Sequence, residues 1–434
     1  MDKMADVLGR AGAWCGQNKY LSAIKNAFQN FMPLTIAGAI GVLWCNVLVN
    51  ESTGLGIFFK PIMALEFLNP AFQAVNFCTI SCITVGITLG IAQEIGVWNM
   101  GAEKAGYIPG LVGLAAWLSV TNTSHMVEGA KEAFTGIAGN ELGATGLFTG
   151  MIIGVLSVEL FCFFEKQDAL KIKMPEQVPP GVARAFEVLV PATITLIITA
   201  CIGSACYNLT GLYLNDVIKN GIQGPLGAVG ATIPGVMIIY LVIMLFWLVG
   251  IHGNNMLSAV KEALFTPLAL ENVEKFNKGE KPTNIINMYA LQMWGEFGGS
   301  GVTIGLVIAI MIFGKREDNK AIASLSLVPG LFNINETVTF GIPMVLNPIL
   351  GIPFVFACLV TILVGYVLTV IGFCPVACLT VPWTTPPIVF GFLATGANVM
   401  GAVTQAILIV VSTVIYVPFL ISYEKYQNKQ AAEA

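Results

Sequence analysis

The chain has 434 residues, of which 56% are hydrophobic and 11% are charged, and its mean hydropathy is +0.79. A soluble core could not bury so much apolar surface, so the composition excludes an ordinary soluble protein and predicts an all-α polytopic membrane protein. The net charge of −4 and the lack of a basic cluster in the sequence also argue against a nucleic-acid partner.

The ten cysteines occur singly and form neither a CxxC pair nor a Cys/His ligand pattern. Many of them lie within apolar runs, where a thiol packs as a small hydrophobic group. The sequence therefore predicts no disulfide framework, no metal site and no bound cofactor.

The first 30 residues carry basic side chains in an amphipathic pattern, and the first long apolar run begins only near Phe31. No cleavable signal is visible, so we expect residues 1–30 to form a segment on the cytoplasmic surface of the membrane. Apolar runs of spanning length, about 20 residues each, then predict membrane spans at 31–50, 72–92, 106–121, 143–164, 186–207 and 230–251.

The distribution of positive charge predicts the orientation. The loop 165–185 holds three lysines and one arginine, so it should be cytoplasmic like the amino terminus, with four spans between them. Two further spans return the chain to the cytoplasm near Lys261. The stretch 285–313 should then form either a short broken helix followed by a fuller one or a re-entrant hairpin, because a single crossing would place Lys315 outside.

Beyond this stretch, residues 343–372 should cross outward, 375–396 should dip in and out, and 398–422 should return the tail at 425–434 to the cytoplasm. About ten transmembrane helices result, with re-entrant hairpins in the carboxy-terminal half and both termini inside. The same reasoning places His252 at the cytoplasmic end of the sixth span and Glu336 on the cytoplasmic side.

The two halves differ in character. In the amino-terminal half, 31–225, Gly146, Gly150 and Gly154 recur every four residues on one helix face, which permits close helix contact. Such a face serves either packing within one subunit or a homodimer interface. We expect packing for any single pair and a homodimer interface for the half as a whole. The carboxy-terminal half, 226–424, holds the Gly/Pro-interrupted apolar stretches that are typical of a transport site.

Two polar clusters open the carboxy-terminal half. The run GIHGNN contains His252, Asn254 and Asn255, and its imidazole either exchanges a proton near neutral pH or simply caps a helix end. The run WGEFGGSG contains Trp294 and Glu296. Its glycines either let the backbone approach a ligand closely or form a turn between half-helices.

Two more polar clusters follow. The run FNINETVTFGIP places Asn335 and Glu336 in an otherwise apolar region. A carboxylate beside membrane-length segments indicates a functional site, because burying it unpaired costs several kcal/mol, unless it is solvated in a loop near the headgroups. The run VPWTTPP holds Trp383, which either stacks on a sugar ring or anchors the chain at the membrane interface.

The chemistry of these clusters favours a neutral substrate. Amides, carboxylates and hydroxyls hydrogen-bond sugar hydroxyl groups, and indole rings cover the C–H faces of pyranoses. A carrier of ions or amino acids would more naturally show clustered opposite charges. The residues alone therefore favour a sugar or another polyol.

The GIHGNN, FNINETVTFGIP and VPWTTPP runs resemble the signature regions of the enzyme IIC permeases of the bacterial sugar phosphotransferase system, in particular the lactose, cellobiose and diacetylchitobiose family. The similarity covers the whole chain, and the NINE-containing run is the most specific of the three. The resemblance implies ten spanning helices with re-entrant hairpins in the lipid of a bacterial cell membrane and a homodimer made by the amino-terminal half. It also implies a separate cytoplasmic IIB protein, with IIA upstream, whose phosphocysteine phosphorylates the 6-hydroxyl of the entering sugar.

By the same resemblance, Glu336 and His252 are the catalytic pair that meets the reactive hydroxyl. The substrate-binding candidates are Asn254, Asn255, Asn335 and Trp383, together with Trp294 and Glu296 from a run that the resemblance covers less securely. The chain ends at Ala434 without a fused IIB domain, so a β-linked disaccharide of cellobiose or diacetylchitobiose type is expected rather than lactose.

Three functions follow from these observations. The first is a membrane component of a phosphoenolpyruvate-dependent phosphotransferase complex, whose phosphoryl donor residue lies on another subunit. The alternative is a proton-coupled secondary sugar transporter, in which Glu336 carries the coupling proton and no phosphorylation occurs. A membrane receptor that binds sugar without moving it is the third, and the interrupted helices in one half do not favour it.

Overall fold

The computed structural model of the chain describes residues 10, 13–14, 17–51, 56, 59–125, 134–175, 177–342 and 344–433. Helices dominate these residues. Within the described ranges the strands are Ser124–His125 and Phe134–Thr135, which form one short antiparallel pair. The prediction of an all-α membrane fold is confirmed.

The chain divides into two compact units. The amino-terminal unit contains Gln17–Gly38 and Val75–Ala228. The carboxy-terminal unit contains Ala39–Ala74 and Val229–Ala434, together with the described residues before Gln17. The boundary between Ala228 and Val229 lies close to the predicted division at residue 225. Residues Ala39–Ala74, which the prediction placed in the amino-terminal half, group with the carboxy-terminal unit.

Long apolar helices build the amino-terminal unit. Helix α1 begins at Lys19, so residues 19–30 continue directly into the first predicted span. The helices are α1 (Lys19–Leu43), α2 (Ile83–Met100), α3 (Ile108–Val120), α4 (Ala144–Glu165) and α5 (Pro180–Thr210). The last five residues of α1 group with the carboxy-terminal unit. Shorter helical pieces are Phe77–Ser81, Ala102–Ala105, Gly139–Leu142, Asp168–Leu170, Leu214–Ile218, Lys219–Gln223 and Gly224–Gly230.

Small residues set the helix contacts in this unit. Gly150 and Gly154 of α4 lie against Thr88 of α2, and a methyl group at Gly150 would overlap the Thr88 hydroxyl. Gly86 of α2 similarly leaves room for the ring of Phe31 on α1. The glycine faces of α2 and α4 therefore pack within one subunit, as expected for the individual pairs.

Interrupted helices distinguish the carboxy-terminal unit. The helices are α6 (Ile233–Leu248), α7 (Ser258–Asn277), α8 (Met288–Gly295), α9 (Ile304–Phe313), α10 (Glu317–Leu331), α11 (Glu336–Gly341), α12 (Pro348–Val370), α13 (Val389–Ala394) and α14 (Val399–Glu433). Shorter pieces are Trp44–Leu48, Lys60–Leu68, Asn69–Asn76, Gly253–Met256 and Ser300–Val302.

Two segments of this unit are not simple spans. Residues 288–313, here the broken span, consist of α8 and α9 separated by a glycine-rich turn, and the chain bends by 59° there. This is the short broken helix followed by a fuller one that charge distribution allowed. In residues 374–396, here the re-entrant loop, the N–H groups of Cys378 and Leu379 donate to the carbonyl of Ala394 at 2.7 and 3.1 Å, so the chain returns on itself.

The described residues contain five unbroken helices that are long and apolar enough to cross a membrane, and two bent helix pairs raise the number to seven. Helices α3 and α6 are apolar but shorter. A multi-pass membrane protein is therefore established, while the number of about ten passes stays a prediction.

The packing of α2 on α4 is tested by Gly150→Ala. The added methyl group should overlap Thr88, whose side chain is buried and β-branched and cannot move freely, and should destabilise the protein by about 1–3 kcal/mol. The measurement is the thermal unfolding temperature of detergent-solubilised protein. Gly181→Ala on α5 is the matched control, because nothing lies within 4 Å of a methyl group there. Equal unfolding temperatures for the two variants would contradict this packing.

Candidate functional site

An imidazole and a carboxylate from distant parts of the sequence meet in the carboxy-terminal unit. His252 follows α6 and caps the short helix Gly253–Met256, and Glu336 is the first residue of α11. The His252 Nε2 atom lies 3.9 Å from Glu336 Oε1, and both side chains are partly exposed. The structure thus brings together the two residues predicted to form the catalytic pair.

The GIHGNN run folds tightly, and this holds His252. Gly253 lies so close to the carbonyl group of Ile243 that a methyl group there would overlap it. The His252 ring lies against the buried ring of Trp247, with centroids 4.4 Å apart. Its Nδ1 atom accepts a hydrogen bond from the backbone N–H of Asn255 at 3.3 Å. The side chain of Asn255 itself is exposed.

These contacts determine which nitrogen of His252 carries the proton. Burial lowers the pKa of His252, and the nearby Glu336 carboxylate offsets only part of this effect. The lowered pKa favours the neutral form of the ring. Because Nδ1 accepts a hydrogen bond, Nε2 must carry the proton, so His252 presents an N–H donor toward the Glu336 carboxylate acceptor.

The distance within this pair leaves room for a ligand group. At 3.9 Å the two atoms are too far apart for a direct hydrogen bond. An oxygen about 2.8 Å from each atom would fit between them at an angle of about 90°, which suits a hydroxyl that accepts from one atom and donates to the other. The pair can therefore hold one hydroxyl group in a defined orientation.

Asn335 connects this site to the broken span. Its side chain is 4% exposed, and its Nδ2 donates to the carbonyl of Ser300 at 2.8 Å. A methyl group at Gly299 would overlap the Asn335 side chain. Asn335, which was predicted to bind substrate, holds the backbone of the glycine-rich turn through its Nδ2 atom.

Asn333 makes a second connection, which sequence reasoning missed. Its Oδ1 accepts from the N–H of Gly298 at 2.6 Å, and its Nδ2 donates to the carbonyls of Trp383 and Thr385. Asn333 has a φ of 63°, a left-handed conformation that asparagine tolerates better than most residues. The NINE run therefore ties the broken span and the re-entrant loop together.

The other predicted contacts have different environments. Trp383 is 44% exposed on the re-entrant loop, so its indole is available to a ligand. Trp294 is completely buried, packs against Gly365, and its Nε1 has no hydrogen-bond partner among the described residues. The structure does not place Trp294 on an accessible surface.

Glu296 and Asn254 belong to a buried polar network. The Glu296 Oε1 atom accepts hydrogen bonds from the hydroxyl of Tyr240, at 2.6 Å, and from the ammonium of Lys261. Lys261 also donates to Asn254 Oδ1 at 3.0 Å, and Asn254 Nδ2 donates to Ser300 Oγ at 2.9 Å. The sequence predicted Glu296 and Asn254 as substrate-binding residues. Lys261 entered the sequence analysis only as a positive charge that indicated the orientation of the chain in the membrane.

Gln405 of α14 is another residue that sequence reasoning missed. Its side chain is 1% exposed, and its Oε1 accepts from the N–H groups of Ile388 and Gly391, each at 2.7 Å. Its Nε2 donates to the carbonyl of Met293 at 3.2 Å. An isolated glutamine in a long apolar helix was the available signal, because such residues mark functional or structural contacts.

Ile388 and Val302 show that these interrupted segments are strained. Their φ angles are 75° and 48°, and β-branched residues rarely adopt positive φ. Both residues stand at breaks, one in the re-entrant loop and one in the broken span. Strain of this kind persists only where the surrounding contacts enforce it.

Among the described residues no group of three or more His, Cys, Asp or Glu side chains could hold a metal ion.

Interrupted apolar segments that converge on a polar site in one part of a multi-pass helical protein define the class of membrane transporters. The family model for the phosphotransferase system EIIC component matches residues 25–358. The chain therefore belongs to the EIIC family, as its sequence motifs predicted, and is a sugar permease component of a phosphotransferase system.

Individual relatives cover nearly the whole chain. The oligo-β-mannoside-specific EIIC component of Bacillus subtilis (strain 168) is 33% identical over 98% of this chain and 94% of that protein. The cellobiose-specific EIIC component of Lactococcus lactis subsp. lactis (strain IL1403) is 29% identical over 98% of each. The crystal structure of the transporter ChbC, the IIC component from the N,N'-diacetylchitobiose-specific phosphotransferase system, matches with a TM-score of 0.88 and 29% identity over 97% of each chain.

The role of Asn333 is tested by Asn333→Gly, which removes its hydrogen bonds without adding backbone strain. The variant leaves backbone groups unpaired, which should lower the free energy of unfolding by about 1–3 kcal/mol. The measurement is the thermal unfolding temperature, which should fall. Ala397→Gly is the matched control, because Ala397 also has a positive φ, of 57°, and the change should be neutral or stabilising. An Asn333→Gly variant as stable as the Ala397→Gly variant would contradict the role.

Proposed function

We propose that this EIIC protein binds a β-linked disaccharide of cellobiose or diacetylchitobiose type outside the cell and moves it inward, coupled to phosphorylation of its 6-hydroxyl. The donor is the phosphocysteine of a cytoplasmic IIB protein, which IIA recharges. The observation that carries the proposal is the His252–Glu336 pair, because its 3.9 Å separation and its donor and acceptor atoms suit a single hydroxyl group.

The chemistry assigns a role to each member of the pair. Glu336 accepts the proton of the 6-hydroxyl as general base while the sugar oxygen attacks phosphorus. The O–P bond forms as the S–P bond breaks, and the thiolate leaves on the IIB cysteine. His252 donates from Nε2 to the same sugar oxygen or to a phosphoryl oxygen. General-base assistance is worth roughly 10²- to 10⁴-fold, and alignment supplies much of the rest.

Several observations support the substrate class. Trp383 is exposed, and an indole can cover the apolar face of a pyranose. Relatives are described as specific for cellobiose, oligo-β-mannoside and N,N'-diacetylchitobiose. The exposed amide of Asn255 and the free oxygen of Glu296 are the further groups that we propose contact the sugar. We propose that Asn254, Asn335 and Trp294 stabilise the sugar site without contacting the sugar, because their side chains contact other parts of the protein.

We further propose that both termini are cytoplasmic, since the lysine-rich loops indicate this orientation. A bacterial plasma membrane is the expected location, with residues 31–225 as the homodimer interface and 226–424 as the transport half. The exposed apolar side chains of α5, Ile197 and Ile202 among them, are consistent with a surface that meets lipid or a second subunit.

The competing function is proton-coupled transport without phosphorylation, because a carboxylate next to an imidazole could also carry a proton. Uptake of radiolabelled cellobiose into membrane vesicles separates the two functions. The proposal predicts phosphorylated cellobiose inside, formed only with phosphoenolpyruvate and the soluble carriers present. Free cellobiose that accumulates with an imposed proton gradient would instead establish the competing function.

Glu336→Gln tests the base assignment. It should lower the rate of phosphoryl transfer from phospho-IIB by about 10²-fold or more while changing sugar affinity only a few fold, because the amide still hydrogen-bonds but cannot take the proton. The matched control is Glu317→Gln, a highly exposed carboxylate in the same unit. Transfer at the wild-type rate in Glu336→Gln would rule out this base.

A further inference from the structure

Lys261 is a buried cation that the proposed chemistry does not use. It lies in the first turn of α7, and its side chain is only 5% exposed. A buried ammonium is costly unless it is paired and hydrogen-bonded. Lys261 meets this need with the Glu296 carboxylate on the broken span and with Asn254 beside the His252 turn.

The network leaves one oxygen of Glu296 available. Tyr240 and Lys261 both donate to Oε1, whereas Oε2 has no hydrogen-bond donor among the described residues. The Glu296 side chain is 18% exposed, so it is not sealed in the interior. A carboxylate held by one oxygen presents the other as a strong acceptor in a fixed direction.

The network also joins separate elements. Lys261 contributes from α7, Tyr240 from α6 and Glu296 from the start of the glycine-rich turn. Asn254 continues the chain of hydrogen bonds to Ser300 at the far end of that turn. Both polar groups of the Asn254 side chain are therefore occupied by protein partners, and Lys261 is the cation common to the two branches.

We propose that Lys261 is a positioning residue for sugar binding: it holds Glu296 so that Oε2 accepts a hydroxyl of the bound sugar. This inference rests on the proposed function. No hydrogen bond joins Lys261 to His252 or Glu336 in the described structure. The Lys261 charge contributes to the lowered pKa of His252, and Glu296 opposes it, so we expect the main effect of Lys261 to be on sugar affinity and not on the phosphoryl-transfer step.

The test is Lys261→Met, measured as the dissociation constant of the purified protein for cellobiose and for N,N'-diacetylchitobiose and as the transfer rate from phospho-IIB at saturating sugar. Loss of a charge-assisted hydrogen bond to the sugar should weaken binding by about 10- to 100-fold. The transfer rate at saturating sugar should stay within about threefold of wild type, because the lost interaction stabilises the bound sugar and the transition state equally. This pattern is the reverse of that expected for Glu336→Gln.

Lys278→Met is the matched control at the carboxy-terminal end of α7, because Lys278 is exposed and pairs with Glu274 at the surface. Its affinity should equal that of wild type. An affinity of Lys261→Met within about twofold of wild type, or a saturated rate that falls as much as the affinity, would overturn the inference. Wild-type protein that binds neither disaccharide would instead overturn the proposed function.

Lys261→Met leaves the Glu296 carboxylate without its cation, and this variant could fail to fold for that reason. A double mutant keeps the inference testable in that case. Glu296→Gln and Lys261→Met/Glu296→Gln are compared for sugar affinity. If Lys261 acts through Glu296, the two variants should bind the sugar equally. A further loss of about tenfold in the double mutant would show independent effects and would also overturn the inference.

Discussion

The constraint on which the carboxy-terminal unit depends is that backbone groups freed by a helix break need hydrogen-bond partners where water is scarce. Side-chain amides supply them. Asn272 and Asn287 are fully buried, and both donate to the carbonyl of Ala377 at the entrance of the re-entrant loop. Asn287 also caps α8, and Gln405 bridges α13 and α8. These amides allow the chain to depart from regular helix at defined places.

The site follows from these breaks. His252 follows the end of α6, and Glu336 is the first residue of the short helix α11, directly after the turn that follows α10. Asn333 and Asn335 fix the second of these turns to the broken span. Both side chains therefore lie beside turns that side-chain hydrogen bonds hold in place. The proposed phosphoryl transfer would require preorganisation of this kind.

Much of this organisation could be predicted from sequence. The apolar runs predicted a multi-pass helical protein, glycine and proline content located the interrupted segments, and the rarity of His252 and Glu336 in an apolar region singled them out. The side-chain partners could not be predicted. The sequence did not predict the hydrogen bond from Asn335 to the carbonyl of Ser300, because an amide's partner depends on which backbone groups the fold leaves unpaired.

Lys261 illustrates the same limit. In the sequence it is one of several lysines that follow the sixth span, and the positive-inside rule treats them alike. In the structure Lys261 is buried against Glu296, whereas Lys278, which follows the last residue of the same helix, is exposed. Tertiary packing determines which lysine is buried and which is exposed. The spacing of residues within α7 does not predict where the glycine-rich turn lies.

The central claim is that Glu336 and His252 share one sugar hydroxyl, and a structure of the protein with cellobiose bound tests it most directly. We expect the 6-hydroxyl oxygen to lie within about 2.6–3.2 Å of His252 Nε2 and within the same distance of one Glu336 carboxylate oxygen. A sugar bound with that hydroxyl remote from the pair, or a pair closed into a direct hydrogen bond beside the bound sugar, would contradict the account.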